Sequence, residues 1–174
     1  NTRMQACYAA IYEAVAEGID ADEMVTVADS KSSTPPQEYH GVKVTLPRQL
    51  FSRSEAQTLY VAFTWDNPQF FFISNTYGLT GRNADSYDSI SLVFTMNAQE
   101  RAAAQRQLDR ALNDILADIR PGTYEYGKEL TIHDAVAARC RYDEAAAAAA
   151  DPAAQFPNAF SAYGALVEGR AVCE

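Results

Sequence analysis

Three cysteines, two histidines and a surplus of carboxylates are the side chains of this sequence suited to chemistry, and Cys173 has the most specific surroundings. It stands in Val172-Cys173-Glu174, nine residues after Gly164 in a Tyr163-Gly164-Ala165-Leu166 segment. A thiol acts as a nucleophile through its thiolate, which forms near neutrality when a helix N-terminus or a positive neighbour lowers its pKa. Cys7 and Cys140 lie in apolar helical patterns instead, where a free cysteine behaves as a small buried hydrophobe. Three thiols are too few for a disulfide framework and too scattered for a C-x-x-C zinc spacing, so no metal site is expected.

The other candidates have blander readings. His133 with Asp134 or Asp143 suggests a dyad partner for a cysteine, but its place on the apolar side of a helix favours a structural histidine that ties the helix to the next segment. His40 falls in a polar loop between strands and has no evident partner. Tyr142, Asp143 and Glu144 could line a substrate groove, though acids that close a helix and open a loop usually form a solvated turn. Trp65, Phe70, Phe71 and Phe72 could form a platform for carbohydrate or peptide; a run of three phenylalanines is more at home in a core. Carboxylate pairs follow from the acidic composition and give no specific support for a glycosidase or a cation site.

The elements that must position these groups are legible in part. Met4, Cys7, Tyr8, Ile11 and Val15 mark one face of a helix closing near Gly18. Met24 to Ala28 and Val42 to Leu46 read as short strands around a loop from Ser30 to Pro36. Ser52 with Glu55 is a capping box for a helix through Trp65, stopped by Asn67 and Pro68. Phe70 to Ile73 and Ile90 to Met96 read as an antiparallel pair of strands, with turn chemistry from Gly78 to Asp88. Asn97 and Glu100 open a helix carrying Leu108, Ala111, Leu112, Ile115, Leu116 and Ile119 on one face until Pro121 and Gly122. Thr123 caps the next helix, with Leu130, His133, Val136, Ala137 and Cys140 along one side. The alanine-rich stretch from Ala145 to Pro157 has little to bury and is expected as a surface loop or frayed turn. Asn158 then caps a short helix to Val167. This order, without repeats, is α+β, with the N-terminal helices packed on a small antiparallel sheet.

Composition excludes some partners. A formal charge of −9 with no cluster of Lys and Arg argues against nucleic acid. No run approaches the roughly 18 apolar residues of a membrane-spanning helix. Because the chain opens at Asn1 and not at methionine, a trimmed chain or a mature chain without its leader is expected.

Leu130-Thr131-Ile132-His133-Asp134, then Arg141-Tyr142-Asp143, then Ala162 to Glu174 together resemble bacterial transglutaminase-like domains of the papain-like superfamily. The likeness covers roughly residues 97–174, and the aromatic Asn67 to Phe72 segment also resembles the usual upstream region. It implies residues 1–122 as an N-terminal α+β region and 123–174 as the start of a transglutaminase-like domain. It further implies Cys173 as the nucleophile at the start of a helix, a His and then an Asp on following strands, protein or peptide substrates, and no cofactor. The sequence stops at Glu174, before the motif's Gly and aromatic residue and before any downstream His or Asp. These 174 residues alone are therefore expected to show no thiol-dependent turnover. A bacterial extracellular or cell-surface location is expected from the opening residue, the acidic balance and the family's common use. The competing reading is a non-catalytic module of a surface protein that binds a partner or positions a substrate.

Overall fold

The computed structural model describes residues 2–27, 35–50, 52–83 and 86–172. They form an α+β fold in two compact units, Asn1–Gln99 and Glu100–Glu174. The division falls in the first turn of α3 (Ala98–Ala117), so that helix groups with the elements after it.

In the first unit, α1 (Thr2–Glu17) packs on β2 (Gln37–Leu50) and buries Cys7, Ile11 and Val15, the stripe its spacing dictates. With β1 (Met24–Val27), β3 (Ile73–Asn83) and β4 (Ser86–Phe94), β2 builds a curled antiparallel sheet in the order β1-β2-β4-β3. The register sets Val42 opposite Leu92 and Val44 opposite Ile90, and all four are buried. The strand expected to end at Leu46 continues past Pro47, because the β2 and β4 register shifts between Thr45 and Leu50 and an irregularity tolerates the missing N–H. Residue 28, expected to end the first strand, and residues 30–34 of the expected loop lie outside the described residues, as do residues 29 and 84–85.

Ser52 caps α2 (Arg53–Asp66), its Oγ accepting from Glu55 N at 3.1 Å. The Glu55 carboxylate pairs with Arg3 of α1, whose Nη1 also donates to Gln49 O at 2.8 Å. The expected strand at Phe70 is absent: Pro68–Phe70 is a 3-10 turn, Phe71 is also helical in backbone angle, and β3 begins only at Ile73. A strand sends successive side chains to opposite faces, so a turn is the better way to bury Phe70, Phe71 and Phe72 together. Phe72 is 1% exposed and meets the Phe94 ring edge-on at 5.0 Å. Trp65, grouped with them by sequence, is 67% exposed. The turn expected from Gly78 to Asp88 is mostly ladder, since β3 runs to Asn83 and β4 starts at Ser86.

In the second unit α3 buries Ala104, Leu108, Ala111 and Ile115, whereas Leu112 and Leu116 of the same expected stripe are exposed. Its neighbour α4 (Glu125–Arg139) buries no residue, contrary to the apolar side read from its sequence. Thr123 does not cap it: its hydroxyl donates to Arg120 O at 2.7 Å, and Tyr124 stands at the N-cap. The alanine tract, expected as loop, contains two short helices, α5 (Glu144–Ala148) and α6 (Pro152–Gln155). Each has an aspartate cap, with Asp143 Oδ1 accepting from Ala146 N at 3.0 Å and Asp151 Oδ1 from Ala154 N at 3.2 Å.

Candidate functional site

Cys173, the residue from which the sequence reading starts, lies outside the described residues, together with Glu174. The segment that delivers the chain to it is described up to Val172. Tyr163 leads into a π-helical turn, Gly164–Glu168, which closes on Gly169 in the left-handed region at φ +71°. A single π-turn is an uncommon element that recurs at functional sites. Two residues then form β6 (Arg170–Ala171), paired in parallel with β5 (Arg141–Tyr142).

Backbone bonds extend this ladder at both ends. Arg141 N donates to Gly169 O and Asp143 N donates to Ala171 O, each at 3.0 Å. Val172 N donates to Ala159 O at 2.8 Å. The Tyr142-Asp143 step and the residues before Cys173 are therefore adjacent, although about thirty positions separate them in the chain.

The turn itself is tied from behind. Ser161 Oγ donates to Asn158 O at 2.8 Å and accepts from Gly164 N at 3.1 Å. Ser161, and not the expected Asn158, thus caps the helical segment. The Asn158 side chain reaches the far end of the turn, Nδ2 donating to Glu168 Oε1 at 2.6 Å. Gly164 is required by space, since a Cβ there would stand 2.1 Å from Asn158 O. Tyr163 donates to Gln107 Oε1 of α3; burial first, and then the Glu168 charge, raise its phenol above the ordinary range.

The remaining candidates are placed as follows. Asp143, expected in a solvated turn, is buried and works as a cap, while Tyr142 beside it is 57% exposed. His133 is exposed and meets the adjacent Asp134, Nδ1 to Oδ1 at 3.0 Å, so it does not tie α4 to the next segment. Cys140 ends α4 half-buried, with Sγ 3.8 Å from Arg141 O, against the expectation of a buried thiol. Cys7 is fully buried as expected; its Sγ donates to Arg48 O at 3.1 Å, and burial raises its thiol. His40 belongs to β2 and not to a loop. Its Nδ1 stands 3.0 Å from Asp22 Oδ1 without making a hydrogen bond to a described residue.

Among the described residues no cluster of three or more His, Cys, Asp or Glu is arranged to hold a metal ion, and no helix is long and apolar enough to cross a membrane. Sequence reasoning missed the capping role of Asp143 and Asp151, although the aspartate before each alanine run was the available signal. No protein-family model, no curated protein and no solved structure matches this chain.

Proposed function

We propose that the second unit is the leading part of a transglutaminase-like thiol enzyme whose nucleophile is Cys173. One observation carries this reading: the Tyr142-Asp143 step is hydrogen-bonded to the residues just before Val172-Cys173, so two of the sequence elements that carry the resemblance share one ladder. In the proposed chemistry the Cys173 thiolate attacks a glutamine carboxamide or a peptide carbonyl. The tetrahedral oxyanion collapses to a thioester and expels ammonia or the amine half of the peptide, which takes a proton from an imidazolium. An amine or water then attacks the thioester and regenerates the thiolate. The imidazole and its orienting carboxylate would come from sequence following Glu174.

The test is iodoacetamide mapping near neutral pH on the protein carrying whatever its reading frame places after Glu174. Cys173 should label far faster than Cys7 and Cys140, and Cys173→Ser should abolish incorporation of a fluorescent amine into a glutamine-bearing protein and hydrolysis of a peptide. Equal labelling of Cys173 and Cys140 in the folded protein would sink the proposal.

A second reading, a non-catalytic module that engages a partner, is favoured by α4. That helix has no fully buried residue and exposes Tyr126, Leu130 and Ile132, with Tyr124 exposed at its cap. Retained partner binding by Cys173→Ser protein without any turnover in the parent would select it.

A further inference from the structure

Arginines scattered along the sequence are gathered by the fold of the second unit. From their arrangement we infer a binding site for a peptide segment bearing glutamate or aspartate, with Arg141 and Arg170 as the fork that takes one carboxylate. The inference goes beyond the role proposed for Cys173 and does not depend on it.

Arg141 and Arg170 are partners in register on the parallel β5–β6 ladder. Neighbouring strands lie about 4.8 Å apart and registered residues send their side chains to the same face, so the two guanidinium groups start as neighbours. Both are exposed, and neither makes an ion pair or a side-chain hydrogen bond with a described residue. The acids nearest to them in the chain are engaged elsewhere: Asp143 accepts from Ala146 N, and Glu168 accepts from Asn158 Nδ2. Like charges set opposite each other destabilise a ladder, and each strand of this one has only two residues. An outside carboxylate relieves that repulsion, since its two oxygens match the planar fork of a guanidinium.

The ladder adjoins a groove of about 520 Å³, lined by Arg110 and Asp114 of α3, Arg139 at the end of α4, and the turn from Leu166 to Gly169. Gly169 joins the two features, because its carbonyl accepts from Arg141 N and it directly precedes Arg170. Within the groove Arg139 is engaged, Nη1 donating to Ala111 O at 2.9 Å and Nη2 standing 3.9 Å from Asp114 Oδ2. Arg110 has no described partner. Asp114 and Glu168 balance Arg110 and Arg139, so the surplus positive charge lies at the ladder. A phosphate dianion or a polyanion would meet the two acids along the groove, and Leu166 and Val167 offer apolar surface that an inorganic ion cannot use. A short peptide with an acidic side chain at the ladder and apolar residues beside it satisfies both halves of the site.

The test is fluorescence anisotropy on the full chain with a short labelled peptide that alternates Glu with Leu and Val, compared with the same peptide carrying Ser for Glu. The Glu peptide should bind about tenfold tighter, and its affinity should fall as salt is raised. Arg141→Gln and Arg170→Gln should each weaken it about tenfold, the effect of losing one charge-assisted contact. Arg170→Glu converts the repulsive pair into an attractive one, so it should abolish binding while raising the urea midpoint of the second unit. A lowered midpoint would mean that the arginines hold the ladder together, and would overturn the site. Equal affinity for the two peptides overturns it as well, as does wild-type affinity in Arg170→Glu. Displacement of the peptide by an equal concentration of inorganic phosphate would assign the pair to phosphate and overturn the peptide reading. The readout is binding and not turnover, so an inert Cys173 leaves each of these outcomes unchanged.

Discussion

The Asp143 amide donates to Ala171 O at 3.0 Å while the carboxylate of the same residue accepts from Ala146 N. One residue therefore ends the β5–β6 ladder and begins α5, and the two elements depend on each other. Asp143→Ala should cost about 1 kcal/mol, with Asp143→Ser or Asp143→Asn recovering most of it. Chemical denaturation of the second unit, with amide exchange at Ala146 and Asp143, checks this; identical exchange in Asp143→Ala would refute the coupling.

Gly164→Ala tests the turn by space alone. The added methyl collides with Asn158 O, and relief requires opening the turn or displacing the 158–159 peptide. A loss of roughly 1–3 kcal/mol is expected, together with faster exchange at Val172. A fully stable variant with Val172 protected would mean that the close approach is absent in solution.

The aromatic cluster gives the sharpest contrast in stability. Phe72→Ala removes a ring packed against Phe70, Phe71 and Phe94 and should cost about 3–5 kcal/mol. Trp65→Ala, at a site 67% exposed, should shift stability by no more than about 0.5 kcal/mol. Urea midpoints of the two variants decide it, and a comparable loss at Trp65 would show that a surface covers it in solution.

Alkali should weaken the first unit through Cys7. Burial raises this thiol above its unfolded value, so its contribution is complete below about pH 8.5 and is lost as pH rises through the folded value. Tyr77, also raised by burial, adds a second loss beginning at about pH 10. Cys7→Ala should flatten the first of these slopes in urea midpoints followed into alkali. Parallel curves for the two proteins would exclude the thiol as the source.

How far the sequence could be read depended on what each signal reports. The stripe of α1 and the Ser52 cap are local patterns with one physical meaning, and both appear where expected. Phe70, Phe71 and Phe72 are core as anticipated but not strand, because apolarity reports burial and the backbone that achieves it was set by Asn67-Pro68. Leu112, Leu116 and Leu130 follow helical spacing yet stay exposed, since periodicity marks a face without naming anything to cover it. The ladder of Arg141 and Tyr142 with Arg170 and Ala171 was illegible for a different reason: two-residue strands have no period, and their pairing is a long-range event. Cys173 was singled out by sequence alone.

The sheet order has a kinetic corollary. Strands β3 and β4 follow one another in the chain, pair antiparallel as far as Asn83 with Ser86, and close on the microsecond scale of hairpins, whereas β2 meets β4 only after α2 and all of β3 have been looped out between them. Protection in pulse-labelled exchange should accordingly reach Leu79 and Ile90 before Val42 and Val44, and the rate at which the first unit matures should respond to the chain between Leu50 and Ile73 more than to the hairpin itself.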